Sequence, residues 1–215
     1  MRCYDNRIPG VSIHYKDAIE LVTKGASQVC LSVEQETVTC TSRNVVARIE
    51  GTDKAGEILT LTAHYDSVPE GPGAYDNMSG AAIIMELCRY FHAHRPRRTM
   101  EFIWFGAEEK GLLGSLSICL CRKRTLQLSA HRFNMNVDLA GQLVGGTVAG
   151  ITGDASVCSI LTYMAHEIGI GMSTKNQIWG SDSNTFAWKG IPAMTLNRDG
   201  FGMHTRHDTI ALLSD

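Results

Sequence analysis

At 215 residues, with a net charge of −2 from 20 basic and 22 acidic side chains, the chain suits one sizeable α/β core and carries no field favouring nucleic acid or an anionic membrane. No run approaches the roughly 18 apolar residues of a membrane span, and the opening Met1-Arg2-Cys3-Tyr4-Asp5-Asn6-Arg7 lacks the apolar core of a signal peptide. A cytoplasmic location is therefore expected for the chain as given, and a secreted one if it is a piece of a longer precursor. The seven cysteines, odd in number and without a Cys-x-x-Cys pair, favour neither a disulfide framework nor a cysteine zinc site.

In chain order, Val11 to His14 reads as a short strand, Tyr15 to Lys24 as a helix stopped by Gly25, and Gln28 to Val38 as another strand run. Some forty residues of this kind are near the size below which a domain rarely stands alone, so the main domain is expected to begin near Thr41. Arg43 to Glu50 reads as a strand, turning at Gly51 to Gly56 into a buried strand over Glu57 to Ala63; the two are expected to form an edge hairpin. The stretch 61–80 follows, with His64, Asp66 and Asp76 in a segment that Pro69, Gly71, Pro72 and Gly73 keep irregular. Ala81, Ala82, Ile84, Met85, Leu87, Cys88 and Phe91 then recur at helical spacing over 78–94, with Ser79 available near the N-cap.

Thr99 to Phe105 resumes as a strand, followed by the loop Gly106-Ala107-Glu108-Glu109-Lys110-Gly111 and a helix from Leu112 to near Lys123. Phe133 to Val137 is a short strand with Asp138 at its carboxyl end. Ala155 to Ile170 reads as an amphipathic helix with Val157, Ile160, Leu161, Met164 and Ile168 on one stripe. Ser181 to Lys189 reads as a helix capped by Ser181 or Asp182, Ile191 to Leu196 as a strand, and 200–209 as a glycine-rich loop. This alternation argues for a three-layer α/β/α sandwich on a mixed, largely parallel sheet, whose right-handed crossovers gather the strand ends on one side.

That edge collects His64, Glu108, Glu109, Asp138 and the loop with His204. Imidazole nitrogen and carboxylate oxygen are zinc donors, and a catalytic zinc keeps one position open for water. If Asp76 bridges two metals, with His64 and Asp138 completing one and Glu109 and His204 the other, three carboxylates and a hydroxide balance two Zn²⁺. Two such ions about 3.5–4 Å apart share and acidify a water for attack on a carbonyl. Glu108 is then left over to move the proton, and Asp66 is placed to accept the other imidazole N–H of His64. His14, His92, His94, His131 and His166 have no carboxylate at ligand spacing and read as structural or surface residues.

Five motifs carry a resemblance to a known family: His64-Tyr65-Asp66-Ser67, Gly73 through Gly80, Phe105 through Ser115, Asn136-Val137-Asp138, and His204-Thr205-Arg206-His207-Asp208-Thr209. In this order they resemble the co-catalytic di-zinc aminopeptidases, the family that includes aminopeptidase Y, bacterial leucine aminopeptidases and glutamate carboxypeptidase. The resemblance implies two Zn²⁺ on His64, Asp76, Glu109, Asp138 and His204 (rather than His207), Glu108 as general base, and a peptide with a free N-terminus as substrate. It leaves a glutaminyl cyclase or carboxypeptidase-type relative and a non-catalytic binding homologue as alternatives. It further implies that residues 1–40 are the closing end of a protease-associated domain, and that 41–215 form a catalytic domain without its usual final helix. Met203 stands where some members have an oxyanion-stabilising tyrosine, Ser183 replaces a histidine, and 117–129 lacks the family's tyrosine-containing helix pattern.

Overall fold

The computed structural model describes residues 11, 13–32, 34, 36, 38–124 and 127–214, the side chains of 121–124 and 127 excepted. Contacts divide the chain at Thr41 into two units. Of the first, the described residues form one helix, α1 (Tyr15–Thr23), whose N-cap His14 accepts from the Lys16 amide at 3.2 Å. Gly25, at φ +63°, ends it. The strands expected at 11–14 and 28–38 do not form among the described residues. A strand exists only through a neighbour's ladder, and none of the described sheet pairings reaches these segments.

The second unit is built on a seven-stranded sheet of order β1-β3-β2-β4-β7-β5-β6. Its strands are β1 (Val45–Ile49), β2 (Lys54–His64), β3 (Arg98–Phe105), β4 (His131–Val137), β5 (Thr147–Ile151), β6 (Met172–Lys175) and β7 (Ala193–Arg198). Parallel pairing joins β3, β2, β4 and β7, and also β5 with β6, whereas β1 on β3 and β5 on β7 run antiparallel. The sheet is therefore mixed and mostly parallel, as the alternation of elements implies.

The expected β1–β2 hairpin is replaced by a crossover. β1 does lie at the sheet edge, but against β3, because β2 is buried along most of its length and takes a central place between β3 and β4. The connecting loop crosses the start of β3: the Thr52 amide donates to Pro96 O at 3.0 Å and the Lys54 amide to Arg97 O at 2.9 Å.

Strand alternation divides the core between two faces. Met100 and Phe102 of β3, Leu61 and Ala63 of β2 and Val137 of β4 pack with Ile84 of α2 (Ser79–Ala93). Ile103 and Phe105 of β3 and Ala193 of β7 pack on the other face with Cys119 of α3 (Leu113–Arg124) and Phe186 of α5 (Ser183–Ala187). Phe102, Ile103, Phe105, Ile84 and Phe186 are all at 0% exposure, so β3 anchors both layers. On α4 (Ser156–Glu167) the buried side is the expected stripe only at Val157 and Leu161. Val157, Cys158, Leu161 and Ala165 turn inward, while Ile160, Met164 and Ile168 are 54%, 56% and 71% exposed. No helix among the described residues is long and apolar enough to cross a membrane.

Candidate metal centre

The carboxyl ends of β2, β3, β4 and β7 converge on one edge of the sheet, and each delivers part of a cluster. β2 ends on His64 itself. Nine residues later Gly73, at φ +71°, turns the chain into a short irregular turn, Ala74–Met78, closed by the Met78 amide donating to Gly73 O at 3.0 Å and non-helical at Asp76 and Asn77, which places Asp76 near the strand ends. A Cβ on Gly73 would stand 2.4 Å from that of Ser67, and one on Gly80 would stand 2.5 Å from both Asn77 Oδ1 and Val137 O. Only glycine lets α2 start this close to the end of β4.

Asp76 is held from two sides. The buried Asp208 carboxylate accepts from the Tyr75 amide at 2.6 Å and the Asp76 amide at 3.1 Å. Asn77 donates to Val137 O at 2.9 Å and accepts from the amides of Gly80 and Leu139 at 3.2 and 3.3 Å. Ser79, expected as a cap, starts the helix proper; its hydroxyl donates back to Tyr75 O at 2.9 Å and accepts from the Ala140 amide at 3.3 Å. Asp182 does occupy the N-cap position of α5 but makes no side-chain cap bond.

Around Asp76 the two imidazoles divide. His64 Nε2 lies 3.2 Å from Asp76 Oδ1 and 3.2 Å from Asp138 Oδ1. His204 Nε2 lies 3.0 Å from Asp76 Oδ2 and 3.4 Å from Glu109 Oε2. Each oxygen of one carboxylate thus faces a different histidine, and each histidine faces a second carboxylate. Glu108 approaches the first group: one donor atom each of His64, Glu108 and Asp138 lie within 4.8 Å of one another, as do those of His64, Asp76 and Glu109. His207 is exposed, and its amide donates to the Thr205 hydroxyl at 3.1 Å.

Asp66 takes a different part from the expected one. His64 Nδ1 meets the main-chain oxygen of Asp66 at 3.0 Å, with the nearest Asp66 carboxylate oxygen at 3.7 Å. That carboxylate instead accepts from the Glu108 amide at 3.0 Å and the Glu109 amide at 3.2 Å, fixing the loop that presents both glutamates. Because a carbonyl oxygen only accepts, Nδ1 carries the proton and Nε2 of a neutral His64 turns a lone pair towards two carboxylates.

Electrostatics express the same crowding. Burial pushes Glu108 up to about 8, with His64 opposing and Asp182, Asp138 and Glu109 adding to the rise. Burial, then Asp76, also raises Glu109, and one of its oxygens has no partner among the described residues. At His64 burial favours the neutral ring, but Asp138, Asp66 and Asp76 outweigh it and hold the imidazole well above its ordinary value. Fully buried Asp182 is pushed up to about 7 by burial. Carboxylate oxygens and imidazole nitrogens packed at 3.0–3.4 Å, one glutamate oxygen among them unpartnered among the described residues, are a ligand set that a divalent cation fits.

Asp208, Asn77 and Ser181 are functional supports that motif spacing does not single out. Asp208 and Asn77 stand inside recognised motifs and Ser181 reads as a helix cap, but nothing in their spacing says that Asp208 grips the Asp76 backbone, that Asn77 ties the turn to Val137 or that Ser181 donates to Asp138.

A mixed α/β sheet with two imidazoles and several carboxylates gathered at its strand ends is the architecture of a metallopeptidase. The profile of peptidase family M28 matches residues 44–215, and the chain belongs to that family. Aminopeptidase YwaD of Bacillus subtilis is 39% identical over 102 residues, covering 47% of this chain and 22% of YwaD. Leucine aminopeptidase 2 of Trichophyton rubrum is 28% identical over 189 residues, 83% of this chain and 38% of that protein. The crystal structure of BSAP, a zinc aminopeptidase from Bacillus subtilis, superposes with a TM-score of 0.72 at 28% identity, covering 80% of this chain and 45% of that one. The chain thus spans less than half the length of each of these three proteins.

Proposed function

We propose that residues 42–215 are the catalytic unit of a zinc aminopeptidase with two ions: one held by His64, Asp76 and Asp138, the other by Asp76, Glu109 and His204. The observation that carries this reading is the position of Asp76, whose two oxygens address His64 at 3.2 Å and His204 at 3.0 Å. The names of the aminopeptidase relatives support the reaction class and the choice of zinc. Bound there, zinc would polarise a peptide carbonyl and acidify a water.

The chain's own residues supply the rest. Asp66 grips the amides of Glu108 and Glu109, so both carboxylates are aimed before substrate arrives. Its main-chain oxygen fixes the His64 tautomer, leaving the Nε2 lone pair free to bind a metal. Glu108 is the one carboxylate of this loop left outside the proposed ligand set. It takes a proton from water on a carboxylate oxygen and delivers it to the departing amine, and burial already raises its basicity. The substrate is a peptide with a free N-terminus.

Aminoacyl-anilide hydrolysis together with metal analysis tests the proposal. Wild-type protein is expected to hold two zinc ions, lose activity to a chelator and regain it with zinc. Glu108→Gln is expected to keep both ions and lose about 10²–10⁴ in kcat. Full activity in metal-free protein, or in Glu108→Gln, overturns it.

A further inference from the structure

A line of buried polar side chains runs across the sheet face beneath α5 and ends at Asp138. Asn134 Nδ2 donates to Thr62 Oγ1 at 3.1 Å, Thr62 Oγ1 to Asn136 Oδ1 at 2.8 Å, Asn136 Nδ2 to Ser181 Oγ at 2.7 Å, and Ser181 Oγ to Asp138 Oδ2 at 2.5 Å. Asn134, Thr62, Asn136 and Ser181 are all at 0% exposure. Strand register sets the spacing, since Thr60 is opposite Asn134 and Thr62 opposite Asn136 on neighbouring β2 and β4.

The direction of the line is forced from its end. An ionised Asp138 can only accept, so Ser181 spends its single proton there and must itself accept from the amide nitrogen of Asn136. The amide oxygen of Asn136 then faces Thr62, whose single proton goes to it, and Thr62 accepts from Asn134. Every donor points toward Asp138, an arrangement in which successive bonds polarise one another. At the far end Asn134 Oδ1 is buried with no partner among the described residues. A polar line whose tail leaves an acceptor unsatisfied is a poor device for stability alone. Its ordered end is the carboxylate, of which Oδ2 is taken and only Oδ1 remains to face His64 at 3.2 Å.

We infer that Thr62 and Asn136, with Asn134 behind them, are positioning residues. They lock the rotation of Asp138 through Ser181 and so set metal affinity selectively at the half of the centre that Asp138 serves. The inference rests on the two-ion reading above, and its test separates the two.

Stepwise zinc titration by calorimetry on the full chain is the measurement, with Asp138→Asn and Glu109→Gln used to assign the two steps. Thr62→Val, nearly isosteric, breaks the line in its middle. It is expected to weaken the step lost in Asp138→Asn by about 10–100-fold, the usual effect of removing an outer hydrogen-bond partner, and to leave the other step within about threefold. Thr62→Ser should restore wild-type affinity. Thr195→Val is the off-line control: Thr195 lies opposite Asn136 on β7, is equally buried and bonds Ser183 at 2.6 Å outside the line. It should lower thermal stability without moving either zinc step. Should Thr62→Val not fold, the double variant Thr62→Val with Asn136→Leu removes both partners of the central bond, and the same selective loss is expected of it. Failure of the wild type to bind two ions removes the underlying reading. Two ions in the wild type, with Thr62→Val and the double variant leaving both steps intact or weakening both equally, overturns the inference alone.

Discussion

At the scale of single residues, Asp76 and Asp208 form one device. Asp76 is proposed to face both metals, and its backbone is held by a carboxylate four residues beyond His204, so one loop carries both a proposed ligand and the support for its neighbour. Asp76→Ala is therefore expected to abolish binding of both ions, whereas Asp138→Asn and Glu109→Gln each remove one; elemental analysis after dialysis distinguishes these outcomes. Asp208→Ala orphans two buried amide donors and is expected to destabilise the metal-free protein by about 2–4 kcal/mol, read from urea midpoints at unchanged slope. The carboxylates and imidazoles of the cluster were legible because zinc chemistry restricts the useful side chains to a few types, and these stood directly after strand patterns. The part played by the Asp66 side chain was not, because it depends on how closely the 106–111 loop approaches the 65–67 turn, a distance that no local spacing encodes.

At the scale of elements, β3 and α2 followed their patterns because burial on both faces, or on one clean stripe, leaves little choice. β5 and β6 show no strand pattern in the sequence for the opposite reason. Thr-Val-Ala-Gly-Ile carries an internal glycine and Met-Ser-Thr-Lys is polar at three of its four positions, so both become strands only through the ladder that β7 begins. On α4 the larger apolar residues suggested the wrong face. Small Ala165 is what fits against the sheet, while bulky Ile160 and Met164 stay in solvent. The start of α2 is the most tightly specified junction: Gly80→Ala would push a methyl into Asn77 and the Val137 carbonyl. A loss of about 1–3 kcal/mol, measured by thermal unfolding, is expected together with weaker metal binding.

At the scale of the whole molecule, the sheet is polarised, with the metal centre at one end and arginine–carboxylate pairs at the other. Arg48 through its hydrogen bond holds Glu50 below its usual value, Arg97 does the same for Asp53, and Arg98 for Glu57. Lowered folded values mean that this stabilisation is complete above the unfolded values of about 4 and is lost as pH falls through the folded ones. Arg97→Gln should accordingly flatten the acid limb of metal-free stability between about pH 4.5 and 2.5, measured by urea unfolding at successive pH values. The connectivity of the sheet carries a temporal consequence as well. During synthesis β1, β2 and β3 can pair before β4 exists, β7 arrives much later, and the residues that grip Asp76 come later still. The cell therefore makes the scaffold of the sheet before the grip, so the metal centre proposed above is completed only after that scaffold exists. In a growing chain of this kind the amides of Tyr75 and Asp76 wait for their carboxylate acceptor until Asp208 has been added.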